Sequence, residues 1–278
     1  MRAELTHWLA DWIPPHLRRV LRSISPNGAV SYSGNFANWA DARQHSDGYD
    51  VGAIVERVKQ AQLKVVRGEA AYERDSVLFE KVEHSYPLLV GLLRAALHKG
   101  GVLNVVDIGG ALGSTYFQCR ALLEGTASLR WNVVEQPAFV DCGLKHFQSE
   151  QLRFFRDLRS CLAAEPVGVA ILSGVLPYVE DPHSMLSEVA EARLAHVILD
   201  RTPLWEKDDR LTVQSVPASI YGFPVSYPAW ILNRERVLGH FLPHYRMVEE
   251  FGALAGTISV DGSRARDTGV IFERRDSA

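Results

Sequence analysis

Residues 102 to 114, VLNVVDIGGALGS, constrain the fold more than any other stretch, because an apolar run ends in an acid and a glycine turn and then opens into a helical pattern. Val102 to Val106 have the β-branched character of a parallel strand buried on both faces. Asp107 falls where that strand ends. Gly109, Gly110 and Gly113 allow a tight turn and let backbone N–H groups approach a ligand that a Cβ would push away. Ser114 to Leu123 is expected to continue as a helix. Strand, glycine turn and helix in this order begin a nucleotide-binding α/β domain.

The spacing discriminates among nucleotides. Dinucleotide folds use G-x-G-x-x-G without a preceding acid, and P-loops end in Gly-Lys-Ser/Thr, which is missing here. An acid two residues before the first glycine resembles motif I, D-x-G-x-G-x-G, of class I S-adenosylmethionine (SAM) methyltransferases. Ala111 stands where the middle glycine of that motif is expected, with Gly110 beside it. The resemblance implies SAM as cofactor, with Asp107, Gly109, Gly110, Ala111 and Gly113 near its methionine portion and Tyr116 packed by the same arm.

Four further strands are expected, each ending in polar residues. Trp131 to Val134 ends in Glu135 and Gln136, and a carboxylate roughly 20–30 residues past a glycine turn is where such folds hold ribose hydroxyls. Standing alone, Glu135 also reads as a solvated strand end. Leu152 to Phe155 leads to Asp157 and Leu158, which the resemblance places near the adenine. Val169 to Leu172 leads into SGVLPYVEDP, whose Ser173 and Leu176 would line the cofactor pocket and whose Tyr178 would face the acceptor; Leu176 as core and Tyr178 as a packed aromatic are the structural alternatives. His196 to Leu199 ends in Asp200, Arg201 and Thr202, at the strand ends where open α/β sheets bind ligands. An Asp–Arg pair that only fixes the loop is the competing reading.

SVPASIYGFPVSYPAWIL follows, rich in Pro and aromatics, and is read as part of an inserted substrate loop over 203–232. Tyr221, Tyr227 and Trp230 would shape an acceptor pocket or anchor the loop. Tyr245 to Phe251 and Thr268 to Glu273 read as a final strand pair with a long connection. The resemblance therefore covers about 101–275 and implies a Rossmann-like, doubly wound α/β fold with a seven-stranded sheet and an antiparallel last strand.

Residues 1–100 carry helical patterns over Asp50 to Val66 and Ser85 to His98, and are read as an N-terminal helical cap. Between them stands YERD, where Tyr72 and Arg74 would close over SAM, an Arg pairing with its carboxylate through a two-pronged hydrogen bond; a surface ion-pair cluster is the alternative. GNFANW, GYD, YERD, DIGGALGS, VVEQ and LDRTP together resemble a bacterial family of predicted methyltransferases linked to surface-polysaccharide or specialised-metabolite genes.

Composition excludes other classes. A formal net charge of −3 and a pI of about 6.4 do not suit non-specific nucleic-acid binding. Cys119, Cys142 and Cys161 form an odd set without metal-like spacing, as expected of free thiols in the cytoplasm. His240 and His244 are separated by Pro243, and no metal site is expected. Pro14 and Pro15 break the basic, aromatic N-terminus into pieces too short to span a membrane. That segment would rest on the chain itself, on a second subunit of a homodimer, or on a membrane surface.

The reaction expected is methyl transfer to oxygen or nitrogen of a small molecule such as a sugar, with Tyr178, Arg201 and Tyr221 orienting the acceptor. Alternatives are intramolecular displacement at the sulfonium, an NAD(P)-dependent reductase, and an inactive binding module.

Overall fold

The computed structural model describes residues 30–46, 51–74, 76–125, 128–218 and 224–275. Its strands are β1 (Ser31–Phe36), β2 (Tyr72–Arg74), β3 (Val77–Phe79), β4 (Val102–Ile108), β5 (Ser128–Val134), β6 (Leu152–Phe155), β7 (Val169–Ser173), β8 (His196–Trp205), β9 (Arg210–Val216), β10 (Val225–Asn233), β11 (Tyr245–Val260) and β12 (Ser263–Arg274). The helices are α1 (Trp39–Gln44), α2 (Val51–Val66), α3 (Tyr86–His98), α4 (Ser114–Leu123), α5 (Pro137–His146), α6 (Leu158–Ala164), α7 (Pro182–Glu191) and α8 (Arg234–Gly239).

The apolar runs become parallel strands in the order β6-β5-β4-β7-β8. Alternate side chains enter two cores, because successive Cβ atoms point to opposite faces of a sheet. Val105, Trp131, Val133, Ile171 and Ile198 pack with Val58, Leu88, Leu92 and Val140 from helices on one face. Val106, Ile108, Val134, Leu172 and Val197 pack with Leu186, Val189 and Val237 on the other. Burying such a Leu, Ile or Val contributes ~1.5–3 kcal/mol each, so the sheet is held from both sides. β12 adds to β8 antiparallel, and β11 follows β12.

The sheet is larger than the seven strands expected. Among the described residues it holds ten, in the order β10-β9-β1-β11-β12-β8-β7-β4-β5-β6, and β10 also pairs with β8. That pairing, Leu232 with Leu204 and Asn233 with Trp205, closes β8, β12, β11, β1, β9 and β10 into a six-stranded barrel. Trp205, Ile231, Ile258, Val260 and Ala265 fill it, with Tyr32 against them. Most of the stretch read as a loop over 203–232 is therefore strand. Pro228 lies where β10 pairs with β9 alone, and an unpaired side tolerates a missing N–H.

Among the described residues before 101, strands stand beside the three helices of the expected cap region. β1 is a barrel stave between β9 and β11, and YERD forms a hairpin strand, β2, against β3. The last two strands meet at a tight turn, Asp261 and Gly262, both at positive φ, in place of the long connection expected. Among the described residues, no helix is long and apolar enough to cross a membrane.

Candidate functional site at the carboxyl edge of the sheet

Strand register assembles the site. Ile108 pairs with Val134 and Leu172, Val134 with Phe155, and Leu172 with Leu199, so these five residues form one row across the parallel strands. The next residue of each strand forms the edge: Gly109, Glu135, Arg156, Ser173 and Asp200. β8 continues beyond this edge into the barrel, which stands beside it.

The glycine turn folds back over Asp107. A Cβ on Gly110 would lie 2.7 Å from the Asp107 carboxylate carbon, and Gly109, at φ +74, leaves room for Val175. Ala111 holds φ +50, a left-handed conformation that costs an L-residue about 1–2 kcal/mol. The position where the motif would place glycine thus keeps the backbone shape that favours glycine. Gly113, at φ +92, leads into α4.

Asp107 is buried, and its Oδ2 accepts from the Trp131 indole N–H at 3.0 Å. Burial pushes its carboxyl up to about 7, against the pull of Trp131 and Arg201. The protein packed around the half-buried Glu135 pushes that carboxyl up to about 7 as well. Its Oε2 accepts from the Gln136 backbone N–H at 2.5 Å, while Oε1 accepts nothing from the described residues. Gln136 itself is exposed and precedes α5.

On the other side of the turn, Ser173 Oγ donates to Asp200 Oδ2 at 2.8 Å, and Arg201 donates to Ser173 Oγ at 3.1 Å and to its carbonyl at 3.0 Å. Arg201, at φ +52, sits at an irregularity between β8 and β12. Asp200 and Arg201 thus both bind Ser173, and among the described residues Asp200 Oδ1 is buried without a hydrogen-bond partner. Burial raises the Asp200 carboxyl, with Arg201 opposing. Tyr178 reaches the barrel, where its hydroxyl donates to Gln214 Oε1 at 2.9 Å and its ring meets Tyr227 edge-on at 5.4 Å.

Several expected site residues lie elsewhere. Tyr116 turns into the core, its hydroxyl donating to Gln151 at 2.9 Å, because the helical phase of α4 points it at Trp131. Leu158 and Leu176 are core residues. Asp157 caps α6 by accepting from the Ser160 N–H at 2.7 Å, which satisfies an otherwise orphaned helix donor. Arg74, by contrast, stays within electrostatic reach of Asp200 at the edge while pairing with Glu83 at 3.3 Å and lying over the Phe79 ring, and Tyr72 beside it is buried against Phe79. Tyr221 lies outside the described residues.

Sequence reasoning missed Glu73. It is buried, accepts from Ser114 Oγ and from the Ser76 N–H, and so fastens the β2–β3 hairpin onto the start of α4. The charge-dense YERD stretch before VLF was the available signal. It also missed Asp267, Gln214 and Tyr32, which only the barrel brings near the edge.

At the opposite edge, His98, His196 and Glu273 place ligand-capable atoms within 4.8 Å of one another. Arg94 and Arg246 each hold the Glu273 carboxylate at 2.8 Å, and two guanidinium charges oppose a cation there.

No family model and no curated protein matches the chain. Solved structures similar to it include the N-terminal domain of EvdMO1, crystallised in the presence of SAH (S-adenosylhomocysteine) and D-fucose, at 14% identity and a TM-score of 0.45 over 82% of this chain and 98% of that one. A SAM-dependent methyltransferase from Clostridium acetobutylicum aligns at 11% identity and a TM-score of 0.45, over 78% of this chain and 98% of that one. The magnesium protoporphyrin IX methyltransferase ChlM from Synechocystis, with bound SAH, aligns at 16% identity and a TM-score of 0.40, over 68% and 83%.

Proposed function

We propose that the chain is a class I SAM-dependent methyltransferase acting on oxygen or nitrogen of a small molecule. The observation that carries this reading is the edge row itself: register sets the glycine turn beside Glu135 on one side and the Ser173–Asp200 pair on the other. Glu135 Oε1 suits ribose hydroxyls, since a carboxylate accepts from two of them. The unpartnered Asp200 Oδ1 suits a donor such as a ligand ammonium group. Asp107, held by Trp131, supports the turn from beneath.

SAM would supply a methyl group on a sulfonium, which an aligned nucleophile attacks in line. The chain's task is then alignment within near-attack distance and exclusion of water. Arg201, fixed on Ser173, and Tyr178, fixed on Gln214, are held rigidly enough to orient an acceptor.

Calorimetric titration of the purified chain with SAM, SAH and NADH tests the reading, alongside Glu135→Ala. Binding of SAM and SAH that the variant loses is the expected result. Binding of NADH alone would replace it with a reductase, and binding of none of them with a partner-binding module. Turnover of SAM with no acceptor present would indicate intramolecular displacement.

A further inference from the structure

The barrel has two ends of different chemistry. One is the apolar plug of Trp205, Ile231, Ile258, Val260 and Ala265. The other, toward the carboxyl edge of the sheet, is polar and built from four elements that are distant in sequence. Tyr178, from the 3-10 turn Leu176–Tyr178, donates to Gln214 on β9 at 2.9 Å and shares a side-chain hydrogen bond with Tyr32 on β1. Tyr227 on β10 closes edge-on over Tyr178.

Asp267 completes this end. It lies two residues from Ala265 along β12 and so on the same face of the strand. Its Oδ2 accepts from the Ala255 backbone N–H at 2.7 Å, across an irregular stretch of β11. The charged groups that act on it are Asp200 and Arg201 of β8, and the phenol it acts on is Tyr32. Burial raises the Asp267 carboxyl to about 6 and the Tyr32 phenol to about 12. One group is therefore a base near neutral pH and the other stays a hydrogen-bond donor.

Phenols, an amide and aromatic faces around one carboxylate suit a ligand with several hydroxyls and no strong charge. An anion would meet Asp267 and Asp200 together, while Arg201, the cation beside both, is turned onto Ser173. The buried, unpartnered Asp200 Oδ1 lies between this end of the barrel and the glycine turn, so the two halves of the site adjoin.

We propose that the polar end of the barrel is the acceptor site, that it takes a neutral polyhydroxylated molecule of sugar size, and that Asp267 removes the proton from the hydroxyl that is methylated. The proposal rests on the methyltransferase reading. The acceptor oxygen forms its bond to the methyl carbon as the carbon–sulfur bond breaks. The electron pair of that bond stays on sulfur, and the hydroxyl proton passes to the Asp267 carboxylate.

The test combines SAH calorimetry with transfer of a radiolabelled SAM methyl to two probe pools. One pool holds glucose, galactose, mannose and their methyl glycosides, and the other holds catechol and aniline. Label is expected in the sugar pool, at a rate that rises with pH through about 6. Asp267→Asn should lower kcat about 10²–10⁴-fold, the usual worth of a general base, and leave SAH affinity within about twofold. Asn keeps an amide oxygen for the Ala255 N–H, which preserves the fold. Tyr32→Phe should raise KM more than it lowers kcat. Label confined to the second pool, an unlabelled sugar pool with SAH still binding, or an Asp267→Asn rate equal to wild type overturns the proposal. Failure of the wild type to bind SAH overturns the cofactor reading beneath it.

Discussion

Glu135→Gln is expected to move stability and cofactor affinity in opposite directions. The Glu135 carboxyl is displaced from its ordinary 4.5 to about 7, so above pH 7 the folded chain carries an anion that it solvates less well than water does. At ~1.4 kcal/mol per tenfold change in proton affinity, the displacement corresponds to about 3 kcal/mol. Solvent screening of this partly exposed side chain reduces it to about 1–2 kcal/mol. The sign follows from the raised value: the protonated fold is favoured below pH 4.5, and that stability is lost as pH rises through about 7. A permanently neutral Gln should therefore melt with the wild type at pH 4 and roughly 2–6 °C above it at pH 8. In the bound state the variant loses one charge-assisted bond from a ribose hydroxyl, ~1.5–3 kcal/mol, or about 10–100-fold in SAH affinity. Scanning calorimetry at both pH values and titration with SAH at pH 8 measure the two effects. A lower melting temperature at pH 8, or unchanged SAH affinity, would refute the reasoning and make Glu135 a structural acceptor.

Other outcomes follow from the same edge. Trp131→Phe strips Asp107 of its indole donor at 3.0 Å and should cost about 1–3 kcal/mol in urea denaturation; no loss would mean that the bond is not made. Ala111→Gly relieves a left-handed Cβ at φ +50 and should stabilise the chain by about 1 kcal/mol in the same assay, whereas destabilisation would point to a contact of the methyl group. Gly110→Ala brings a Cβ to 2.7 Å from Asp107, and is expected to cost ~1–3 kcal/mol of stability and to weaken SAH binding, read by calorimetry. At the back of the barrel, Asp209, His183, His240 and Ser187 form a chain of bonds at 2.9, 2.9 and 3.2 Å. Burial, His183 and Arg236 hold the His240 imidazole below its ordinary 6.5, so its contribution is whole above pH 6.5 and is lost as pH falls. His240→Gln should flatten the acid limb of the melting curve, and an unchanged limb would place the sensitivity elsewhere.

The parallel half of the fold was legible because each strand is a β-branched run buried on both faces, and such runs need no knowledge of their neighbours to be recognised. Glycine turn, Glu135 and Ser173 follow from strand ends, and register brings them to one edge. The barrel was not legible. VSYPAWILN contains a proline that argues against a central strand, and only closure by Leu204 and Trp205 gives it a partner on that side. Tyr116 and Leu176 turn into the core for a different reason. A residue near a ligand-binding turn faces ligand or core according to helical phase, and one position of phase separates the two. Asp267 sits mid-strand in SRARDTGV, where nothing in the local pattern announces that β1, some 230 residues earlier, will deliver Tyr32 beside it.

The placement of β1 also sets an order of events during synthesis. The strand bonds to Leu211–Ser215 on one side and to Val260 on the other, all made long after it. At ~5–20 residues per second, roughly 10–40 s pass between emergence of the strand and of its partners. The glycine turn and its parallel neighbours are complete once β8 has emerged, so that half can fold while residues 31–36 are still without a sheet. A ribosome-bound chain arrested before residue 245 should then be protected from protease across β4–β7 and cleaved near β1, and the wall beside the glycine turn rises only after the half it stands against.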